Sequence, residues 1–303
     1  MKYGCGQVKY EDVTNLALMK CYRDGRLYIP GTDFERSWLF GDPCPNHLKE
    51  LEITFNDGNG EKMMTYPIKI GGFLNLDRKS IKHKAWLYQT YDSSEEKLMD
   101  IQKLLWLLGG DFKEEYPEQL LSVEFIPSNA KVLELGSNIG RNTLIIASLL
   151  ENEHNLVTLE CNAETVKILS CNKYNNEMDF QIEPSALSAR KLYVSGWVSY
   201  TEESKPVNAT EVKTISWPDF QSKYKIEFDT LVADCEGALY HILQDAPEML
   251  ESIKLIIVEN DYTNPEHKLE VDKIFTNNGF QVVKSVAGGW GQFKENFYEV
   301  WKR

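Results

Sequence analysis

Short apolar runs and amphipathic stretches alternate from about residue 129 to the end of the chain. The apolar runs predict strands over 131–135, 156–160, 179–183, 229–234, 255–259, 280–286 and 296–302. Stretches with helical spacing fill the gaps at 140–150, 162–174, 236–245 and 265–277, the last stopped by Gly279. Alternation of this kind predicts a mostly parallel seven-stranded sheet with helices on both faces. Only Gly288-Gly289-Trp290-Gly291 and a few neighbours separate the final two strands. So short a loop cannot carry a parallel crossover, and the last strand is expected to run antiparallel.

Residues 1–78 follow a different pattern. Leu51, Ile53 and Phe55 alternate with Glu52 and Thr54, Asn56-Asp57-Gly58-Asn59-Gly60 makes a turn, and 61–70 can return as a hairpin partner. Leu27-Tyr28-Ile29 before Pro30-Gly31 is a further strand and turn. A small β-rich, sandwich-like domain over 1–78 is therefore expected, then a bridge at 79–120 and an α/β domain over 121–303. Within the bridge, Leu98, Ile101, Leu104, Leu105 and Leu108 fall on one helical face between an Asp92-Ser93-Ser94 cap and Gly109-Gly110.

Length and composition sharpen this only a little. The chain of 303 residues is 42% hydrophobic and 26% charged, an ordinary globular balance. Its net charge of −13 argues against a nucleic-acid partner. Met1-Lys2-Tyr3-Gly4-Cys5-Gly6 has no apolar leader core, and Leu144–Leu150 is far too short to cross a bilayer, so no membrane partner is expected. Six scattered cysteines with no C-x-x-C pair read as reduced thiols in a cytoplasmic compartment.

The candidate chemistry begins at the first α/β unit. Leu135 leads into Gly136-Ser137-Asn138-Ile139-Gly140, and Glu160 closes the next strand twenty positions after Gly140. A glycine turn admits a ligand to the helix start, and an acidic residue at that distance can hold ribose hydroxyls. Dinucleotide sites place a glycine in the middle of the turn to admit a pyrophosphate. Asn138 stands there, which crowds a diphosphate but leaves room for a phosphate-free ligand such as S-adenosylmethionine. Glu134 would then face the ligand's ammonium group or its water shell.

Val132-Leu133-Glu134-Leu135-Gly136-Ser137-Asn138-Ile139-Gly140 resembles the V-L-D/E-x-G-x-N-x-G motif of the FkbM family of S-adenosylmethionine-dependent methyltransferases. Ser185-Ala186-Leu187-Ser188, Asp229 to Gly237, Glu259 and the closing Asn296-Phe297-Tyr298-Glu299-Val300-Trp301 follow in the family's order, so the resemblance covers about 110–303. Glu259-Asn260-Asp261-Tyr262 and Gly288 to Gly291 resemble a branch associated with large DNA viruses, which would place the protein in the host cytoplasm. Val232 and Leu239 depart from the family's usual lysine and glutamate, so acceptor choice here can differ. Tyr3-Gly4, Asp12-Val13-Thr14 and Phe40-Gly41-Asp42-Pro43 resemble a small β-module attached to varied proteins.

The resemblance implies a class I methyltransferase fold and methyl transfer to a hydroxyl of a sugar, glycan or sugar nucleotide. It implies a cofactor site of Glu134, Gly136, Ser137, Asn138, Gly140, Glu160, Cys161, Ser185, Ala186 and Asp234. A hydroxyl gains from a base that takes its proton. Asp234, Glu236 and Glu259 are candidates at strand ends, and His241 lies just over a turn beyond Glu236. Asp234 and Glu236 would project together if the strand stayed extended, as base, as ligands of a Mg²⁺-type ion or as anchors for sugar hydroxyls; a helix cap is the plainer reading. Trp197, Tyr200, Asn260 and Trp290 are candidates for substrate contact, against a plain packing role. The alternative is an inactive methyltransferase-like binding protein that recruits a glycan or protein through its β-module. A nucleic-acid methyltransferase is disfavoured by the charge and by Asp-Cys-Glu-Gly in place of [DN]-P-P-[YF]. Oligomeric state is left open.

Overall fold

The computed structural model describes the chain except residues 6–8, 24–25, 30–32, 46–48, 57–60, 67–71, 76–90, 197 and 203. It divides into two compact units, 1–88 with 100–106, and 89–99 with 107–303.

In the first unit, Lys2–Cys5 pairs antiparallel with Lys9–Asp12 and with Glu50–Asn56, which pairs in turn with Glu61–Tyr66. A second antiparallel sheet joins Tyr22–Arg23, Arg26–Ile29 and Gly72–Asn75. The expected hairpin across 56–61 is present, but helices Thr14–Cys21 and Asp33–Phe40 were not anticipated. Tyr3, Val13, Ala17, Leu27, Phe40 and Leu51 form the core, and they come from strands and helices alike.

One expectation fails here. Cys5 and Cys44 are joined as a disulfide with Cα atoms 6.3 Å apart, inside the range such a bridge allows. Their 39-residue separation carries no pattern that sequence could reveal. Cys21, Cys161, Cys171 and Cys235 take part in no disulfide among the described residues. A disulfide is unusual in a reducing compartment, so the cytoplasmic placement loses the support of six reduced thiols.

The second unit holds the seven-stranded sheet. Its strands are β1 Val132–Leu135, β2 Leu156–Leu159, β3 Gln181–Glu183, β4 Thr230–Ala233, β5 Leu255–Glu259, β6 Gln281–Val286 and β7 Tyr298–Lys302. Their spatial order is β3-β2-β1-β4-β5-β7-β6. The first five are parallel, and β7 enters antiparallel between β5 and β6. This is the Rossmann-like, mostly parallel sheet expected from the strand and helix alternation, antiparallel hairpin included. All four residues of β1, β2 and β4 are buried, as befits central strands covered on both faces.

The helices are α1 Tyr116–Phe125, α2 Arg141–Leu149, α3 Ala163–Asn175, α4 Trp217–Tyr224, α5 Leu239–Asp245 and α6 Pro265–Asn277. Asn162 caps α3 by accepting from the Glu164 and Thr165 amides, and Asn264 caps α6 through the Glu266 amide. Helix α4 went unread although Ser216-Trp217-Pro218-Asp219 signals it: Ser216 Oγ accepts from the Asp219 amide and Pro218 sits in the first turn. Helix Ser94–Leu104 stops short of the expected Leu108. Between Ser188 and Lys213 the chain builds a small antiparallel sheet of Leu192–Ser195, Val198–Thr201 and Thr210–Val212. No described helix is long and apolar enough to cross a membrane.

Candidate active site

The order reversal at β1 opens a crevice at the carboxyl ends of β1 and β4, the place where open α/β sheets bind ligands. A cavity of about 450 Å³ lies at these strand ends. Gly136 and Asn138 follow β1, Glu160 and Cys161 follow β2, Ser185 and Ala186 follow β3, and Asp234 and Glu236 follow β4; all line it. Leu187, Leu192, Val194 and Ile242 supply an apolar stretch of wall, two of them from the small inserted sheet.

The glycine turn is held open by its own backbone. Gly136 and Ser137 donate their amides to the Leu159 carbonyl at 3.1 and 3.0 Å, which ties the turn to the end of β2. Gly136 has φ +84°, and a Cβ on it would lie 1.5 Å from the Asp234 carbonyl oxygen. Only glycine fits, because the turns after β1 and β4 pass backbone against backbone there.

Asn138 also takes a left-handed conformation, at φ +48°. Its amide donates to Glu160 Oε2 at 3.0 Å, and the Asn162 amide donates to Oε1 at 2.7 Å. Glu160 is thereby aimed from the β2 end into the cavity. Burial raises its pKa, while the amides of Asn162, Asn138 and Cys161 draw it back. Burial, then Glu160, pushes the Cys161 thiol up to about 11. The Cys235 thiol is raised by burial, Asp261 and Asp234, so neither thiol is a thiolate near neutrality.

Three members of the expected cofactor set serve the turn from behind and do not line the cavity. Ser137 Oγ donates to the Leu159 carbonyl at 3.2 Å. Gly140, at φ +96°, begins α2 against Leu169. Glu134 is buried and accepts from Thr143 Oγ1 at 2.7 Å; burial lifts its pKa to about 7, with the Thr158 and Thr143 hydroxyls pulling the other way.

The pairing of Asp234 with Glu236 required an extended strand, and that condition fails. β4 ends at Ala233, and Glu236 turns left-handed at φ +52°. The two residues line one cavity but do not continue the strand register. Among the described residues no group of three or more His, Cys, Asp or Glu is placed to hold a metal ion, so the Mg²⁺-type site has no support.

Glu259 ends β5 outside the cavity lining. It belongs to a group of carboxylates, Glu115, Glu118, Asp234, Glu236, Glu259 and Asp261, of which the sequence offers Asp234, Glu236 and Glu259 as candidates and gives Glu115, Glu118 and Asp261 no role. Burial pushes the Glu259 pKa to about 8, helped by Asp261, Glu115 and Glu236. Glu118 and Asp234 are raised well above the usual carboxylate range, first by burial and then by one another's neighbours. Arg141 lies beside one member of the group: it pairs with Glu114 and, at 3.0 Å, with Glu115, and its Nε donates to the Asp111 carbonyl. Glu115 precedes α1 and Glu118 lies in its first turn, 21 and 18 positions before Gly136, so nothing local in the sequence ties them to the glycine turn.

The remaining candidates lie elsewhere. His241 packs edge-on against Tyr240 and His267, outside the cavity lining, and burial lowers its pKa. Asn260 spends its side-chain amide on the Asn296 carbonyl at 2.7 Å and its backbone amide on Phe297, so it latches β5 to the loop before β7. Trp290 is exposed ahead of the turn Gly291–Asn296, and it and Tyr200 are not in the cavity wall. Trp197 lies outside the described residues.

No protein-family model matches the chain, and a search of curated proteins gives no match. Solved structures do resemble it. A ribosomal-protein methylase from Lactobacillus delbrueckii subsp. bulgaricus is 12% identical, with 64% of this chain and 79% of that one covered at a TM-score of 0.40. A precorrin-6y methyltransferase from Geobacter metallireducens is 10% identical, with 66% and 95% covered at 0.38. A precorrin-8w decarboxylase from Methanobacterium thermoautotrophicum is 15% identical, with 62% and 89% covered at 0.37. The likeness is one of fold, and the strand order already carries that assignment.

Proposed function

We propose that this chain is an S-adenosylmethionine-dependent methyltransferase of FkbM type that methylates a hydroxyl of a neutral sugar or glycan. The observation that carries the reading is Glu160, a carboxylate fixed by two backbone amides at the β2 end and facing a cavity whose glycine turn has Asn138 at its middle. Glu160 keeps lone pairs for a ribose diol. Asn138 stands where a diphosphate would need glycine. Leu187, Leu192, Val194 and Ile242 suit the flat face of a base.

S-adenosylmethionine, when bound, supplies a methyl group carried on a sulfonium. To Asp234, which lines the same cavity, we assign the role of accepting the acceptor's hydroxyl proton; burial and then Glu259 raise its pKa, so that in its ionised form it is a stronger base than an exposed aspartate. Glu236 lines the wall beside it, and burial raises its pKa too. No lysine or arginine among the described residues lines the cavity, which argues for an acceptor without negative charge, because a sugar nucleotide's diphosphate would find no cationic partner there.

Calorimetric titration tests the cofactor half. The unaltered chain is expected to bind S-adenosylmethionine and S-adenosylhomocysteine and to give no heat with NAD. Glu160→Ala should weaken both by about ten- to a hundredfold, the loss of hydrogen bonds to a charged group costing about 1.5–3 kcal/mol. No heat from the unaltered chain at high micromolar ligand would sink the proposal. A panel of neutral glycans and sugar nucleotides with labelled methyl donor tests the acceptor half, with label expected only on the former.

A further inference from the structure

The turn that carries Asp234 and Glu236 is under backbone strain, and something must hold it. Glu236 and Gly237 are successive left-handed residues, at φ +52° and +76°. A side-chain-bearing residue in that region costs about 1–3 kcal/mol and persists only where its surroundings over-determine it. On one side the constraint is visible: Asp234 donates its amide to the Leu135 carbonyl at 2.9 Å, and its own carbonyl presses on Gly136. The other side is held from β5. Two residues beyond the end of that strand, Asp261 Oδ1 accepts from the Gly237 amide at 2.7 Å.

We infer that Asp261 is a positioning residue, whose carboxylate clasps the left-handed turn and so presents Asp234 and Glu236 to the cavity. Its geometry is independent of any ligand; its functional consequence rests on the cofactor reading above. Asp261 is 5% exposed and does not line the cavity, so it acts through the turn and not by touching a ligand. Its setting is a costly one for an acid. Burial and then Glu236 push its pKa to about 7, and the amides of Gly237, Asp261 itself and Glu236 pull it back. A residue needed only to fill space would be better served by an apolar side chain. What the position requires is an acceptor for the Gly237 amide, and asparagine could supply one without charge.

The test uses the full chain and two readouts, amide hydrogen exchange over 234–240 and calorimetric titration with S-adenosylmethionine. In the unaltered chain the Gly237 amide should exchange slowly, and fast exchange there overturns the inference without any variant. Asp261→Ala should speed exchange over 234–240 about tenfold or more and weaken cofactor binding about tenfold. Asp261→Asn should stay within about twofold of the unaltered chain in both. An alanine variant with unchanged exchange over 234–240, or an asparagine variant as damaged as the alanine one, overturns the clasp. Should the unaltered chain bind no cofactor, the functional reading falls while the exchange measurements still decide the clasp.

Discussion

Gly136→Ala is expected to abolish cofactor binding and to lower the melting temperature by about 10 °C. The new Cβ would lie 1.5 Å from the Asp234 carbonyl oxygen, 2.7 Å from its carbonyl carbon and 3.4 Å from Cys235 Cα. All three are backbone atoms, so no rotamer change relieves the clash. The residue would also sit at φ +84°, where a side chain costs about 1–2 kcal/mol. Overpacking adds about 1–3 kcal/mol or more. At about 2–4 °C per kcal/mol for a domain of this size, the two together give the expected shift. Relief of the clash can come only from parting the turns after β1 and β4, which pulls Asp234 away from Gly136 and opens the cavity between them. Gly279→Ala is the control. Gly279 has the same φ of +84°, with nothing within 4 Å of its Cβ position. It should lose only the conformational part and keep cofactor binding. Equal losses in the two variants would mean that the close approach at Gly136 is not what matters.

That comparison also marks how far the sequence could be read. The period of apolar runs announced all seven sheet strands, and the short Gly288–Gly291 loop announced the antiparallel hairpin, because both depend on local spacing. The ends of the strands brought Gly136, Asn138, Glu160, Cys161, Ser185, Ala186 and Asp234 to one cavity, since each follows its strand directly. Glu134, Ser137 and Gly140 belong to the same sequence motif, yet they support the turn from behind. A linear motif does not distinguish a residue that faces a ligand from one that holds the loop facing it. The left-handed Glu236 defeated the argument from strand register because it sits in a turn that packs against Gly136 and bonds to Asp261, residues that follow other strands. Glu115, Glu118 and the Cys5–Cys44 pair escaped for the same reason. Their partners are distant in the chain, and an isolated glutamate or cysteine looks alike in a core and on a surface.

The carboxylates that sequence did not assemble lead to the second large effect, a fall in stability as pH rises from about 5 to about 8. Glu134 and Asp261 have folded pKa values pushed to about 7, and Glu259 to about 8. Each is above its unfolded value, so between the two the native state holds more protons than the unfolded chain. Stability therefore drops as pH climbs through that window, and the drop is complete once the folded group has ionised. For Glu134, which is almost fully buried, the shift corresponds to about 3 kcal/mol as an order of magnitude. Glu118 and Asp234 act in the same direction. Below about pH 5 an opposite contribution takes over. Burial alone would raise the Glu183 pKa, but Lys223, Tyr224 and Ser185 outweigh it and hold the group lowered, so its stabilisation disappears as pH falls. A maximum near pH 5 is expected, with the melting temperature declining steadily toward pH 8. Glu134→Gln should flatten that decline, because a neutral amide can still accept from Thr143 and has no proton to lose. Thermal melts of both proteins across this range decide it. A flat or rising profile for the unaltered chain would mean that the carboxylates are better solvated or better paired than their burial implies. An equal slope in the glutamine variant would remove Glu134 from the account while leaving Glu259 and Asp261 within it.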